Sequence, residues 1–184
     1  MTNFPLHTPE TAPEDTLPLF ENSQKAFGMI PNLHAVMGAS PSLLEAYQVV
    51  HGLFMKTSLS ADEQTVIWQT INVEHECHYC VPAHTAVANM MGVDKQISDA
   101  LRDNTPLPEK LEALRDFTLK MLLKRGQVSE ADVTEFLAAG YNQQNILEVI
   151  LGLSQKVMSN YVNHVAGTPL DAPFQVFDWS PSKA

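Results

Sequence analysis

Apolar and polar positions along this chain recur with the helical period of about 3.6 residues, and no stretch shows a sustained two-residue alternation bounded by turn residues. The punctuation between the apolar runs sets the predicted elements. A short helix runs from about Pro18 to Phe27 and stops at Gly28, after which Pro31 restarts the chain. Ser40 as N-cap and Pro41 at the first helical position open a helix to about Lys56. Ser60-Ala61-Asp62-Glu63 is a capping box for a helix to about Val73. The next helix begins near Cys77 and Cys80, carries Pro82 in its first turn and ends at Gly92; Asp94 caps a short one to about Asp103. Pro106 and Pro108 break the chain before an amphipathic helix from Glu109 to Lys124, stopped by Gly126. Ser129 caps another that ends at Gly140, and the most apolar of the set spans about Gln143 to Ala166. The pattern predicts an all-α fold.

An internal echo accompanies it. Leu44-Glu45-Ala46 leads through one helix to the cap at Ser60, and Leu111-Glu112-Ala113 leads through another to the cap at Ser129. The two hairpins read either as a duplication or as two ordinary amphipathic helices. Residues 1–17 form an extended proline-rich arm, 18–166 a single all-α domain, and 167–184 a tail that must place Phe174, Phe177 and Trp179.

Composition narrows the function. With 45% apolar and 17% charged residues, the 184-residue chain is of the soluble globular class and long enough to bury a core. A net charge of −10 without a Lys/Arg cluster argues against nucleic acid and anionic membranes as partners. No apolar run is long enough to span a bilayer, and the N-terminus lacks the basic start and apolar stretch of a signal peptide. The expected location is the cytoplasm, where a lone cysteine pair is redox-active or metal-binding rather than a structural staple.

Both cysteines stand in one segment, Glu74-His75-Glu76-Cys77-His78-Tyr79-Cys80-Val81-Pro82-Ala83-His84. In a first helical turn, positions i and i+3 bring Cα atoms roughly 5–6 Å apart, within disulfide range. His84 falls one turn beyond Cys80 on the same face, and a helix N-terminus favours the thiolate. Cys77, Cys80 and His84, with a fourth ligand from Glu74, His75 or His78, also make up a zinc donor set. His78 can tune the thiols or simply face solvent, as His75 is expected to do. Asn160 and His164, at i and i+4 near the chain's end, share a helical face that either lines the cysteine pocket or packs internally. Trp68, Met90 and Met91 read as packing.

Cys77-His78-Tyr79-Cys80 followed by His84 resembles the active-site motif of the AhpD-like alkylhydroperoxidases of the carboxymuconolactone decarboxylase superfamily. Gly28-Met29-Ile30-Pro31-Asn32-Leu33, Ser40-Pro41, Leu59-Ser60, Ala139-Gly140-Tyr141 and Asn160-Tyr161-Val162-Asn163-His164-Val165-Ala166 are similar to its peroxidase-related branch, so the resemblance covers roughly residues 20–172. It implies an AhpD-like helical fold assembled as a homo-oligomer (trimer, hexamer or dimer), and a peroxidase without haem, flavin or metal cofactor. Cys80 would be the peroxidatic cysteine, Cys77 the resolving one, and His84 part of the relay that generates the thiolate. A small hydroperoxide would be the substrate and a lipoylated or thioredoxin-like protein the external dithiol.

The chain departs from that pattern in one place. Where the family has a glutamate twelve residues before the first motif cysteine, this sequence has Thr65, which takes no proton near neutral pH. Glu63 is claimed by the capping box, so Glu74 and Glu76 are the candidate substitutes in the relay, unless they form only a solvated acidic turn. Tyr79 stands where relatives often carry histidine. A thiol redox sensor, a disulfide reductase and a decarboxylase-type lyase are the other functions compatible with the family; retention of both thiols argues against the last.

Overall fold

A computed structural model describes residues 4–181; Met1–Asn3 of the predicted arm and Ser182–Ala184 of the predicted tail lie outside the described residues. Among the described residues there are nine α-helices and no strand: α1 Leu17–Phe27, α2 Asn32–Met37, α3 Pro41–Phe54, α4 Ala61–Glu74, α5 Cys80–Met91, α6 Lys95–Asp103, α7 Glu109–Leu123, α8 Glu130–Ala138 and α9 Gln143–Ala166. The all-α expectation holds, and no helix among these residues is long and apolar enough to cross a membrane.

Most boundaries follow from the capping chemistry. Ser60 and Glu63 exchange hydrogen bonds in a complete capping box, as do Ser129 and Asp132, while Asp94 accepts from the Gln96 N–H. Gly28, Gly92 and Gly167 end their helices in the left-handed conformation, which costs glycine nothing sterically. Ser40 occupies the N-cap position of α3 without making a side-chain cap, so Pro41 alone marks that start. Three features differ from expectation. α2 follows Pro31 with Leu33 to Met37 all buried, and a helix without a polar stripe leaves no periodic trace. The predicted arm contains a 3-10 turn, Glu14–Thr16, whose buried Thr16 hydroxyl donates to the Gly38 carbonyl at 2.8 Å. α5 starts at Cys80, so Cys77 sits in the turn just before it rather than within it.

α4 is the central helix, with α5, α6, α7 and α9 packed around it. Every residue from Gln64 to Asn72 is buried, so its apolar members fill the main core while its polar ones must find partners inside the protein. Val66, Ile67, Trp68 and Ile71 meet Leu101, Leu114 and Phe117. Phe117, Phe136 and Tyr141 stack with centroids 4.1 and 4.4 Å apart, tying α8 to α7. Of the helices joined by the internal echo, α7 lies on α8, whereas α3 lies chiefly on α9. A second apolar cluster of Phe20, Leu33, Met37, Leu44 and Tyr47 holds both cysteines and Tyr79.

α9 reaches the centre because Gly152 lets it. A Cβ built there falls 2.8 Å from both Ile67 Cγ2 and the Phe54 ring. Gly152→Ala is therefore expected to lower stability by up to about 2 kcal/mol in urea titration, the overpacking cost of roughly 1–3 kcal/mol offset by the ~1 kcal/mol gain in helix propensity.

Candidate functional site

The turn between α4 and α5 presents the cysteines. Glu76 adopts a left-handed φ of 49°, turning the chain so that the Cys77 N–H donates to the Asn72 carbonyl at 2.9 Å. Cys80 then opens α5, with its own N–H donating to Cys77 Sγ at 3.2 Å. Both thiols are free and buried. Of the two, Cys80 lines a cavity of about 720 Å³ and Cys77 lies behind it. The cavity runs between α1, α3 and α5, with Leu19, Phe27, Tyr47, Val87, Met90 and Phe174 among its walls.

α9 supplies the polar side of the site. Its buried Gln155, Lys156, Ser159, Asn160 and Asn163 fall on one stripe. Asn163 Nδ2 donates to Cys80 Sγ at 3.1 Å and lies 3.9 Å from Cys77 Sγ. Lys156, with no exposed surface, lines the cavity and donates from Nζ to His84 Nε2 at 2.8 Å. Burial lowers the Lys156 pKa while the charge of the neighbouring cysteines raises it. As the ammonium that a Cys80 thiolate favours, Lys156 has no lone pair, and His84 then accepts as a neutral imidazole with its proton on Nδ1, which is buried without a partner. Burial, followed by the Lys156 and His51 charges, holds the His84 pKa well below its ordinary value.

The two thiols are pushed apart. Burial raises the Cys80 pKa, but the Cys77 thiol, the Lys156 ammonium and the Asn163 and Asn160 amides outweigh it and bring it to about 6. Cys77 goes up, because its S–H is bonded to Cys80 and because it is buried. These opposite shifts favour Cys80 as the thiolate and Cys77 as the thiol, which is the arrangement a nucleophile and its resolving partner require.

A hydrogen-bond chain fixes this geometry. His75 Nδ1 donates to Asn160 Oδ1 at 2.8 Å, Asn160 Nδ2 to Asn72 Oδ1 at 3.0 Å, and Asn72 Nδ2 to Gln69 Oε1 at 2.9 Å. Trp68 does more than pack: its indole N–H donates to Gln155 Oε1, and its ring lies against both His84 and His51. Tyr79 OH donates to Asp171 Oδ2 at 2.5 Å and accepts from the Leu33 N–H, joining the cysteine turn to the C-terminal segment. That segment contains the 3-10 helix Ala172–Phe177, is clamped by Arg102 on the Phe177 and Asp178 carbonyls, and receives the Trp179 indole on the Arg102 carbonyl.

The predicted site residues therefore separate. Cys77, Cys80, His84, Tyr79 and Asn160 are brought together, although His84 bonds to Lys156 and to neither sulfur. Glu74 and Glu76 are exposed and contact neither thiol, so they are no substitute for the missing glutamate. Glu63 completes its capping box and pairs with Lys110 at 2.8 Å. Thr65 is buried with its hydroxyl unpartnered. His78 donates to the Thr168 carbonyl from an exposed position, and His164 is exposed on the outer face of α9. Among the described residues no three His, Cys, Asp or Glu side chains converge to hold a metal ion. Lys156 and Asn163 were not anticipated. Their signal was the polar stripe inside the most apolar helix.

Asn163→Ala is expected to raise the Cys80 pKa by about one pH unit through loss of an amide donor. Because the thiolate reacts, alkylation of Cys80 by iodoacetamide, followed by peptide mass spectrometry, should rise through a midpoint of about 6 in the wild type and correspondingly later in the variant.

The sequence matches no protein-family model and no curated protein. Solved structures are similar throughout. An uncharacterised peroxidase-related protein with an alkylhydroperoxidase AhpD core from Ralstonia eutropha JMP134 superposes with a TM-score of 0.83 at 21% identity, over 94% of this chain and 93% of that one. A peroxidase-related protein from Silicibacter sp. TM1040 gives 0.79 at 24% identity, over 94% and 92%. A cysteine-to-alanine variant of the debrominase Bmp8, in complex with 2,3,4-tribromopyrrole, gives 0.79 at 16% identity, over 96% and 95%. With these neighbours matching nearly end to end, the chain has the AhpD-like, all-α fold.

Proposed function

We propose that this protein is a thiol-dependent hydroperoxide reductase. The observation that carries the reading is the asymmetry of the cysteine pair: Cys80 is held as a thiolate on the cavity wall, and Cys77 as a thiol behind it. The Cys80 thiolate attacks the terminal oxygen of a hydroperoxide, the O–O bond breaks, and Cys80 becomes a sulfenic acid while the alkoxide leaves. The Cys77 sulfur then displaces the hydroxyl as water and a disulfide forms. An external dithiol, a lipoylated or thioredoxin-like protein, reduces the disulfide and closes the cycle. Assembly as a homo-oligomer is part of the same reading, supported by exposed Leu147, Ile150, Tyr161 and Val165 on α9.

The dimensions of the cavity favour a second reading of the same thiols. About 720 Å³ of mostly apolar space far exceeds what hydrogen peroxide fills and suits an organic molecule. The debrominase neighbour suggests reductive dehalogenation. Cys80 would take the halogen from carbon, the C–X electron pair would remain on carbon and pick up a proton, and Cys77 would release halide as the disulfide forms.

Consumption of cumene hydroperoxide with dihydrolipoamide is expected in the wild type and abolished in Cys80→Ser. Cys77→Ser should complete one turnover and accumulate a sulfenic acid that dimedone traps, read by mass spectrometry. Bromide release from 2,3,4-tribromopyrrole under the same reductant, with no peroxide turnover, would replace the first reading by the second. Neither activity in a fully reduced protein would sink both.

A further inference from the structure

We propose that Lys156 is a catalytic residue of this site, first as counter-ion to the Cys80 thiolate and then as the acid that protonates the leaving alkoxide. The inference rests on the peroxidase reading and supplies what that reading lacks. The expected glutamate is replaced by Thr65, Glu74 and Glu76 face solvent, and His84 offers the sulfurs no hydrogen bond. The leaving group still needs a proton inside a cavity with apolar walls.

Lys156 meets that need by position. Its side chain is fully buried on α9, lines the same cavity as Cys80 and, among the described residues, is held by a single acceptor, His84 Nε2. Its effect on Cys80 is through charge: it lowers the Cys80 pKa, and the cysteines in turn raise its own against the lowering by burial. An ammonium carries three N–H donors, and those not used on His84 are left for a ligand oxygen beside the thiolate. The ionisable groups around it are Cys80 and Cys77 from the turn and the start of α5, His84 from α5, and His51 from α3; Tyr47 of α3 faces the cysteines. Both histidines are kept neutral by burial, His51 with a pKa of about 4. His84 therefore acts as a positioning residue: it accepts one Lys156 proton, competes for none, and is braced by Trp68 with ring centroids 4.8 Å apart.

The step balances. Cys80–S⁻, Lys156–NH₃⁺ and R–O–O–H give Cys80–S–OH, R–OH and Lys156–NH₂: an S–O bond forms, the O–O bond breaks, and the sulfur is oxidised as the peroxide is reduced. Cys77–SH and Cys80–S–OH then give the disulfide and water. Reduction by the external dithiol leaves Cys80 as thiolate and returns a proton to Lys156. The buried ammonium loses a charged partner and its own charge in one event, so no isolated charge is left in the apolar site.

Lys156→Met tests both roles, since methionine fills the volume without charge and a Cys80 deprived of its counter-ion takes up a proton rather than remaining a stranded charge. The midpoint for Cys80 alkylation should move up from about 6 by at least one pH unit. Above that new midpoint the thiolate is complete, and single-turnover oxidation separates the roles. Reaction with peroxyacetic acid, whose carboxylate leaves without a proton, should return to within a few-fold of wild type. Reaction with cumene hydroperoxide should stay down by about 10²-fold, the lower range for lost general-acid catalysis. Lys156→Arg, permanently charged, should keep the low midpoint and share the cumene hydroperoxide deficit. Equal recovery of Lys156→Met with both oxidants overturns proton donation, and an unmoved midpoint overturns the counter-ion. A wild type that alkylates near pH 6 yet oxidises with no hydroperoxide removes the peroxidase reading and the acid role together.

Discussion

A thiolate with about 1% of its residue exposed cannot persist in an apolar cluster without compensation, and the compensation organises this protein. Everything that lowers the Cys80 pKa comes from a defined place. The Cys77 thiol comes from the preceding turn, and the Lys156 ammonium and the Asn160 and Asn163 amides from α9. Three of these four partners belong to a helix whose start lies far along the chain. The site is thus a tertiary object: α9 must cross the molecule close to α4, and Gly152 permits that approach. The central helix is buried on every side for the same reason, because its Gln69 and Asn72 link the cysteine turn to α9.

The disposition of charge has a redox consequence. Stabilising the thiolate of the reduced form makes the corresponding disulfide a better oxidant, as low-pKa dithiol pairs generally are. A Cys77–Cys80 disulfide formed here would therefore be readily reduced by an external dithiol. Within a cavity whose histidines are neutral, the stabilisation at the sulfur comes from the Cys77 thiol first and then from Lys156 and the α9 amides, all in place before any substrate enters.

Much of the fold was written in local chemistry. Ser60, Asp94, Ser129, Gly92 and Gly167 mark helix ends because capping and left-handed φ depend on a few neighbouring residues. The cysteine motif was legible for the same reason, its spacing being local. What escaped depends on distance. α2 is buried on all sides and so carries no stripe, and Lys156 and Asn163 look unremarkable until α9 is laid against α5. The helical spacing of His84 after Cys80 correctly put both on one cavity wall, but the partner that occupies the imidazole sits 72 residues further on. Glu74 and Glu76, adjacent in sequence, are turned to solvent by the left-handed turn at Glu76. Proximity along the chain was a poor guide there.

The most direct test of the account is a pH titration of thiolate ultraviolet absorbance in the reduced protein, wild type beside Cys80→Ser. One thiolate per chain is expected, appearing with a midpoint of about 6 and lost in Cys80→Ser, with Cys77 silent until strongly alkaline pH. A midpoint in the ordinary thiol range of about 8.5, or a low-pH thiolate that survives Cys80→Ser, would contradict it.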